Sequence, residues 1–333
     1  MVTIPPVGWI NAGHRHGTKV LGTFCVEWSE GSQQCAEFLD GGKVQAALVK
    51  QLTSIAAHFG FDGWLLNFEV ELDRKKHIPQ LIAFVKELTR QMQEMCPLSL
   101  VIWYDAVTTY GRLRWQNAVT AKNQPFFDAC NGILLNYSWR RGSLRTQASR
   151  RASRLQDEYV GVDVWGRSTR AYGEGYACVA GVAHAKASGR SCGLFAPAWV
   201  YEVGETRAWE KRNGAFWASV MSAWGCHAVV TSLPFYSSFN LGGGAAMHIS
   251  GSVVSPHPWY NVSCQNIQPS SLRVLVGRDG ASRWDNGLTQ RHTCQFAYNG
   301  GSCLVLGGNL CGGQMAWCPL FDADIPVAAG KAV

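Results

Sequence analysis

The stretch Phe61–Glu69, FDGWLLNFE, reads as an apolar β-strand that ends in polar groups. Side chains two apart share one face of a strand, so Asn67 and Glu69 point together, one amide beside one carboxyl. Apolar, β-rich runs of the same kind recur on either side of it, at Val20–Trp28, Leu98–Asp105, Gly132–Trp139, Tyr159–Arg167 and Cys192–Glu202. Amphipathic stretches separate them. Between Lys43 and His58, the residues Val44, Ala47, Leu48, Leu52, Ile55 and Ala56 fall on one helical face, and Leu81, Phe84, Val85, Leu88 and Met92 do so between Ile78 and Met95,. Alternating β and α runs predict parallel strands in an α/β fold.

A doubly wound sheet and a (β/α)8 barrel share this alternation and differ in where their polar residues gather. Here no Gly-rich loop joins a strand to a helix. Each run instead ends in polar or aromatic groups: Glu27 and Trp28, Asn67 and Glu69, Tyr104 and Asp105, Asn136 and Trp139, Asp163 and Arg167, Tyr201 and Glu202. Such groups at the carboxyl ends of successive strands are what a TIM-type barrel site requires. From about Leu241 the texture changes to Gly, Ser and short β-like runs such as Gln295–Tyr298 and Ser302–Leu306. The expected organisation is a barrel domain over residues 1–240 and a β-rich accessory module, a partial sandwich, over residues 241–333.

Composition narrows the function. The 333 residues are 47% hydrophobic and include 14 Trp, enough for a large core and for grooves that stack flat ligands such as sugar rings,. The net charge of +7 owes much to Arg140, Arg141, Arg145, Arg150, Arg151 and Arg154, but no nucleic-acid-binding signature accompanies them, so a solvated helix face is the better reading and nucleic acid is not an expected partner,. The 12 Cys show no CxxC pair or Cys/His zinc spacing, which argues against a structural metal and for reduced, apolar cysteines,. No apolar run approaches the roughly 18 residues of a membrane span, and MVTIPPVGW lacks a secretory pattern, so no membrane is expected and the cytosol is the default.

An amide and a carboxyl on one strand face suit one kind of glycoside cleavage. Retaining glycosidases usually need two carboxylates, but a substrate with a 2-acetamido group can use its own carbonyl oxygen as nucleophile, leaving the protein to supply an acid and a positioning group. Asn67 and Glu69 match that division. The ordinary alternative is that Glu69 pairs with a cation such as Arg74 while Asn67 caps a loop.

The blocks VLGTFCVEW, FDGWLLNFE, VIWYDAVTTYGRLRWQNAV, GILLNYSW, YVGVDVWGR and LFAPAWVYE, in this order, resemble consecutive strand blocks of the cytosolic endo-β-N-acetylglucosaminidases, glycoside hydrolase family 85. The resemblance continues through SLPFYSSFNLG and WYNVSCQNIQP into FAYNGGSCLVLGG. It implies hydrolysis between the two core GlcNAc residues of N-glycans on a TIM barrel, with N-glycans, glycopeptides or free oligosaccharides as partners and no metal or organic cofactor. The family's Asn-x-Glu motif falls on Asn67 and Glu69, and its WYD block on Trp103, Tyr104 and Asp105. Glu69 is thereby implied as acid and base, Asn67 as the group orienting the acetamido side chain, and Tyr104 as its partner at the acetamido oxygen. Trp115 and Trp139 correspond to positions beside the acceptor sugar, and Glu27, Asp163 and Glu202 to strand-end acids that bind hydroxyls or hold the site in place.

Two departures stand against this. The family's first two strand blocks have no counterpart here, so the barrel is expected to lack two strands, because six strands cannot close an eight-stranded barrel. Phe68 and Ala106 also stand where the family more often has an aliphatic residue and a Ser. The missing strands keep a second reading open, a non-catalytic glycan-binding or decayed relative. A chitinase-like hydrolase is a third, disfavoured because the Asp it would need in place of Asn67 is lacking.

Overall fold

A computed structural model describes residues 1–146, 152–204, 208–225, 228, 230–270, 275–276, 282–283, 288–309, 315 and 320–327. The chain groups into two compact units, Met1–Pro5 with Val20–Val203, and Pro6–Lys19 with Gly204–Val333. This grouping differs from the sequence boundary at residue 240, because Pro6–Lys19 and residues 204–240 fall with the second unit.

The first unit is an α/β structure around a seven-stranded sheet in sequential order: β1 (Val2–Thr3), β2 (Leu21–Glu27), β3 (Gly63–Glu69), β4 (Leu100–Tyr104), β5 (Gly132–Leu135), β6 (Glu158–Asp163) and β7 (Ser191–Phe195). The strands β2 to β7 pair in parallel, and the two-residue β1 lies antiparallel on the outer edge of β2. Connections between parallel strands need helices to cross back over the sheet. After α1 (Val7–Arg15), which belongs to the second unit, these are α2 (Trp28–Asp40), α3 (Gly42–Phe59), α4 (His77–Met95), α5 (Gln124–Asp128), α6 (Arg141–Thr146) and α7 (Val179–Ala187), and the short α8 (Trp199–Glu202) follows β7.

Period-two alternation on β3 sets the sides of the sheet. Trp64, Leu66 and Phe68 are fully buried on the helix side, while Leu65, Asn67 and Glu69 are half-buried on the other. Phe68 sits in a cluster with Phe24, Phe38 and Phe84, and its ring stacks on Trp103, which stacks in turn on Phe126 with centroids 4.3 Å apart. The apolar stripe of α4, Ile78, Leu81, Phe84, Val85, Leu88 and Met92, is buried in this layer, as its spacing predicts. Each fully buried Phe or Leu contributes about 1.5–3 kcal/mol relative to exposure, so this layer dominates the unit's stability. Gly63 opens β3 with a φ of 150°, and a Cβ there would lie 1.8 Å from the Leu100 carbonyl oxygen, so no other residue lets β3 and β4 pair at this point,.

In the second unit α1 packs on a 3-10 turn at Val262–Cys264, and the Arg15 guanidinium donates to the Ser263 carbonyl at 2.8 Å. Helix α9 (Trp209–Trp224) precedes short antiparallel pairs: β8 (Gly243–Gly244) with β11 (Trp259–Tyr260), and β9 (Met247–Ile249) with β10 (Ser252–Ser255). A four-stranded sheet follows, β12 (Leu275–Val276), β13 (Ser282–Arg283), β14 (Thr289–Thr293) and β15 (Cys303–Gly307). The run Gln295–Tyr298, expected as a strand, is instead part of the β14–β15 connection; the strand is Thr289–Thr293, a polar run without an apolar signature.

In the arginine-rich stretch Arg140 is exposed, while Arg154 and Arg141 hold loops in place. Arg154 donates to the carbonyls of Phe127, Cys130 and Asn131 and lies 4.0 Å over the Phe127 ring, and Arg141 donates to Ala171. Arg150 and Arg151 lie outside the described residues, as does the side chain of Arg145. No described helix is long and apolar enough to cross a membrane.

Candidate active site

Parallel pairing of β2 with β3 sets Cys25 beside Asn67 and Glu27 beside Glu69. Asn67 Nδ2 donates to Glu27 Oε1 at 2.8 Å and to Glu69 Oε1 at 3.1 Å, with Cys25 Sγ at 3.5 Å. Asn67 Oδ1 is buried and accepts no hydrogen bond from the described residues. Burial pushes the Glu69 carboxyl above the ordinary Glu range; the Asn67 hydrogen bond opposes this and the negative charge of Glu27 reinforces it,. Glu69 is therefore held toward the protonated form, as a proton donor requires. Burial also pushes the Cys25 thiol up to about 12, which removes it as a nucleophile,. Arg74, the alternative partner for Glu69, instead lies over the Tyr110 ring at 4.3 Å.

On β4, Tyr104 is buried and its hydroxyl donates to Asn136 Oδ1 at 3.1 Å. Asn136 Nδ2 donates to Asn117 Oδ1 at 3.0 Å, so the hydroxyl is aimed by a relay of two amides. Burial raises the Tyr104 phenol well above its ordinary value and keeps it a neutral donor. Its neighbour Asp105 faces away into the β4–α5 loop, accepting from the backbone N–H groups of Gln116 and Asn117 at 3.0 and 2.7 Å and from Asn123 Nδ2 at 2.8 Å. Its carboxyl is pushed up to about 6 by burial, against those hydrogen bonds. This loop carries Trp115, 38% exposed, to the cleft. Gly111 latches it to the loop after β3: its carbonyl accepts from Leu72 N at 2.9 Å, and with φ at 74° a Cβ there would lie 1.9 Å from Leu72 O.

Together these groups line a cleft of about 580 Å³ at the carboxyl ends of β2 to β7, formed by Thr23, Glu27, Leu65, Asn67, Glu69, Tyr104, Trp115, Leu134, Asn136, Tyr137, Asp163, Arg167, Ser168 and Phe195. A larger hollow of about 760 Å³ lies between β2 and the helices α2 and α3; it is mostly apolar and shares only Glu27 with the cleft. The strand-end polar groups gather in the smaller one.

Six of the eight residues singled out from sequence meet in the cleft: Glu27, Asn67, Glu69, Tyr104, Trp115 and Asp163. Asp163 is 2% exposed and is bound in a bidentate pair by Arg167, at 2.8 and 3.1 Å, so it orients that guanidinium and offers little to a ligand,. Trp139 is corrected: it is 1% exposed, lies against Tyr172 and donates from Nε1 to the Gly161 carbonyl at 2.8 Å, which makes it a core residue and leaves no face for a sugar. Glu202 is corrected as well. Strand β7 stops at Phe195 because Ala196 takes a φ of 55° and Pro197 has no N–H for the ladder, and Glu202 then falls exposed on α8, outside the cleft,. Asn117 and Tyr137 escaped the sequence reading altogether; the positive φ of Asn117, 57°, belongs to loop geometry that no periodicity reports. Among the described residues no group of three or more His, Cys, Asp or Glu converges to hold a metal ion.

Fold and site thus define an α/β protein with a polar cleft at the carboxyl ends of a parallel sheet. The sequence profile of glycosyl hydrolase family 85 matches residues 1–247, and the chain belongs to that family. It is 39% identical over 333 residues to cytosolic endo-beta-N-acetylglucosaminidase 1 of Arabidopsis thaliana, covering 99% of this chain and 48% of that protein. With cytosolic endo-beta-N-acetylglucosaminidase of Danio rerio the identity is 38%, over 99% of this chain and 45% of the relative. The chain spans about half the length of these curated relatives. The glycoside hydrolase domain of Endo-D from Streptococcus pneumoniae shares the fold, with a TM-score of 0.71 at 20% identity over 91% of this chain and 51% of that one.

Proposed function

We propose that the protein is an endo-β-N-acetylglucosaminidase that hydrolyses the GlcNAc-β1,4-GlcNAc core linkage of N-glycans, glycopeptides or free oligosaccharides, with retention and by participation of the substrate's own 2-acetamido group. The reading rests on one observation: Asn67 and Glu69 share a strand face, the carboxyl held toward its protonated form and the amide oxygen left without a protein donor. Glu69 gives its proton to the leaving oxygen. Asn67 Oδ1 accepts the acetamido N–H, which raises the electron density on the acetamido oxygen as it attacks the anomeric carbon. The Tyr104 hydroxyl passes from Asn136 to that oxygen and holds it on line,. Glu69, now ionised, then takes a proton from the water that opens the oxazolinium ring. Trp115 offers a half-exposed indole for the acceptor sugar,.

The sheet is read as part of a (β/α)8 barrel lacking its first two strands, and residues 241–333 as a β-rich, partial-sandwich accessory module. The printed names of the relatives favour the cytosol as the place of action. Incubation with a high-mannose glycopeptide is expected to release a glycan ending in a single GlcNAc, read by mass spectrometry. Release that survives Glu69→Gln would falsify the assignment.

A further inference from the structure

Asn67 can serve the acetamido group only if its amide stays one way round, since a half-turn presents NH2 where an oxygen is required. Both hydrogens of Nδ2 are taken by carboxylate oxygens, Glu27 at 2.8 Å and Glu69 at 3.1 Å. With the amide reversed, Oδ1 would face the Glu27 carboxylate with no hydrogen between them, so Glu27 enforces the observed orientation, whereas a protonated Glu69 can meet either end of the amide,. The two anchors are not equivalent. Glu69 gains and loses a proton during turnover and moves toward the leaving oxygen, whereas Glu27 has no step of its own in that chemistry. Glu27 makes the shorter bond, and the parallel register places it directly beside Glu69, where both reach the same amide.

We propose that Glu27 is a positioning residue: by reach and hydrogen bonding it fixes the Asn67 amide so that Oδ1 alone meets the 2-acetamido group. This rests on the function proposed above, but its first consequence does not need a substrate. Shortening the side chain by one methylene, about 1.5 Å, takes the carboxylate out of range while keeping its charge. Replacing the carboxylate by an amide keeps the reach and an acceptor oxygen while removing the charge.

The full chain labelled with 15N-asparagine reports this by NMR. Exchange of the Asn67 side-chain amide hydrogens is expected to quicken about 30-fold in Glu27→Asp and at most about threefold in Glu27→Gln, the difference between losing a charge-assisted hydrogen bond and weakening it. Calorimetry with the thiazoline analogue of the cyclised Manβ1,4GlcNAc is the second arm. Glu27→Asp and Asn67→Ala are each expected to weaken it by roughly 10–100-fold, and the double variant no further than the worse single. The proposal is overturned by a wild-type-like Glu27→Asp in either arm, by a Glu27→Gln protein impaired more than Glu27→Asp, or by losses that add in the double variant. If the unaltered protein binds the thiazoline no more tightly than a disaccharide lacking the acetamido group, the enzymatic reading fails instead, and the exchange measurement still decides the role of Glu27.

Discussion

The two flanks of the cleft use their acids in opposite ways. On β2 and β3 the carboxyls of Glu27 and Glu69 converge on a neutral amide, and among the described residues neither is in a salt bridge. On β6 the carboxylate of Asp163 is consumed by its own Arg167, whose guanidinium lies 5.4 Å from the Phe195 ring centroid. A carboxylate bound on both oxygens by a guanidinium is held in one place, whereas the half-buried Glu69 beside the charge of Glu27 keeps a proton it can give,. The proposed reactivity thus gathers on the first flank, and the second builds a wall.

The contrast is broken most directly by neutralising one acid on each flank. Glu69→Gln is expected to lower kcat by about 10³-fold, within the range for loss of general acid catalysis, and Asp163→Asn by less than about tenfold, measured on the same glycopeptide. Equal losses would erase the distinction. Tyr104→Phe tests the bridge between the flanks, since the phenol is held by Asn136, one residue past the end of β5 between them; removal of one oriented hydroxyl is expected to cost about 10–100-fold in kcat with a nearly unchanged KM,. A loss confined to KM speaks against its place at the reacting oxygen.

The pH profile sharpens the comparison further. As the proposed acid, Glu69 must be protonated to act, so kcat/KM is expected to fall as pH rises through its raised value, on the alkaline limb,. Glu27→Gln removes the charge that helps to raise that value and is expected to bring this limb to lower pH; Tyr104 and Tyr137, which also face Glu69, are neutral across that range. Asp163→Asn leaves the limb in place. The smallest effect concerns stability. Asp105 binds its proton more tightly in the folded protein, so stability falls as pH rises between the ordinary Asp value of 3.8 and about 6,. Chemical denaturation across that window is expected to show a flatter slope in Asp105→Asn, and an unchanged slope removes Asp105 as its source.

Much of this was legible in advance where one period governs a whole element. The strands β2, β3 and β4 and the helices α3 and α4 stand within a residue or two of their apolar patterns, and the amide–carboxyl pair follows from strand alternation alone. Reading failed where a strand end had to be located. Trp139 and Glu202 were carried into the cleft by extending β5 and β7 to the last polar or aromatic residue, but β5 stops at Leu135 and β7 at Phe195. Asp105 looked like one more strand-end acid, yet its four acceptor contacts come from residues 11 to 18 positions later, and such long-range pairing leaves no local trace. The Tyr104–Asn136–Asn117 relay was invisible for the same reason.

Phe68 stands between Asn67 and Glu69, the pair proposed to carry the chemistry, and does not line the cleft. Its ring is wedged among Phe24, Phe84 and Trp103, and a packed interior transmits even a methylene's change in volume to its neighbours,. The spacing of Asn67 and Glu69 relative to β2 and β4 is therefore set from behind, by a residue that no substrate meets. With a ring at this position, the layer behind the sheet acts as an adjusting screw for the alignment in front of it.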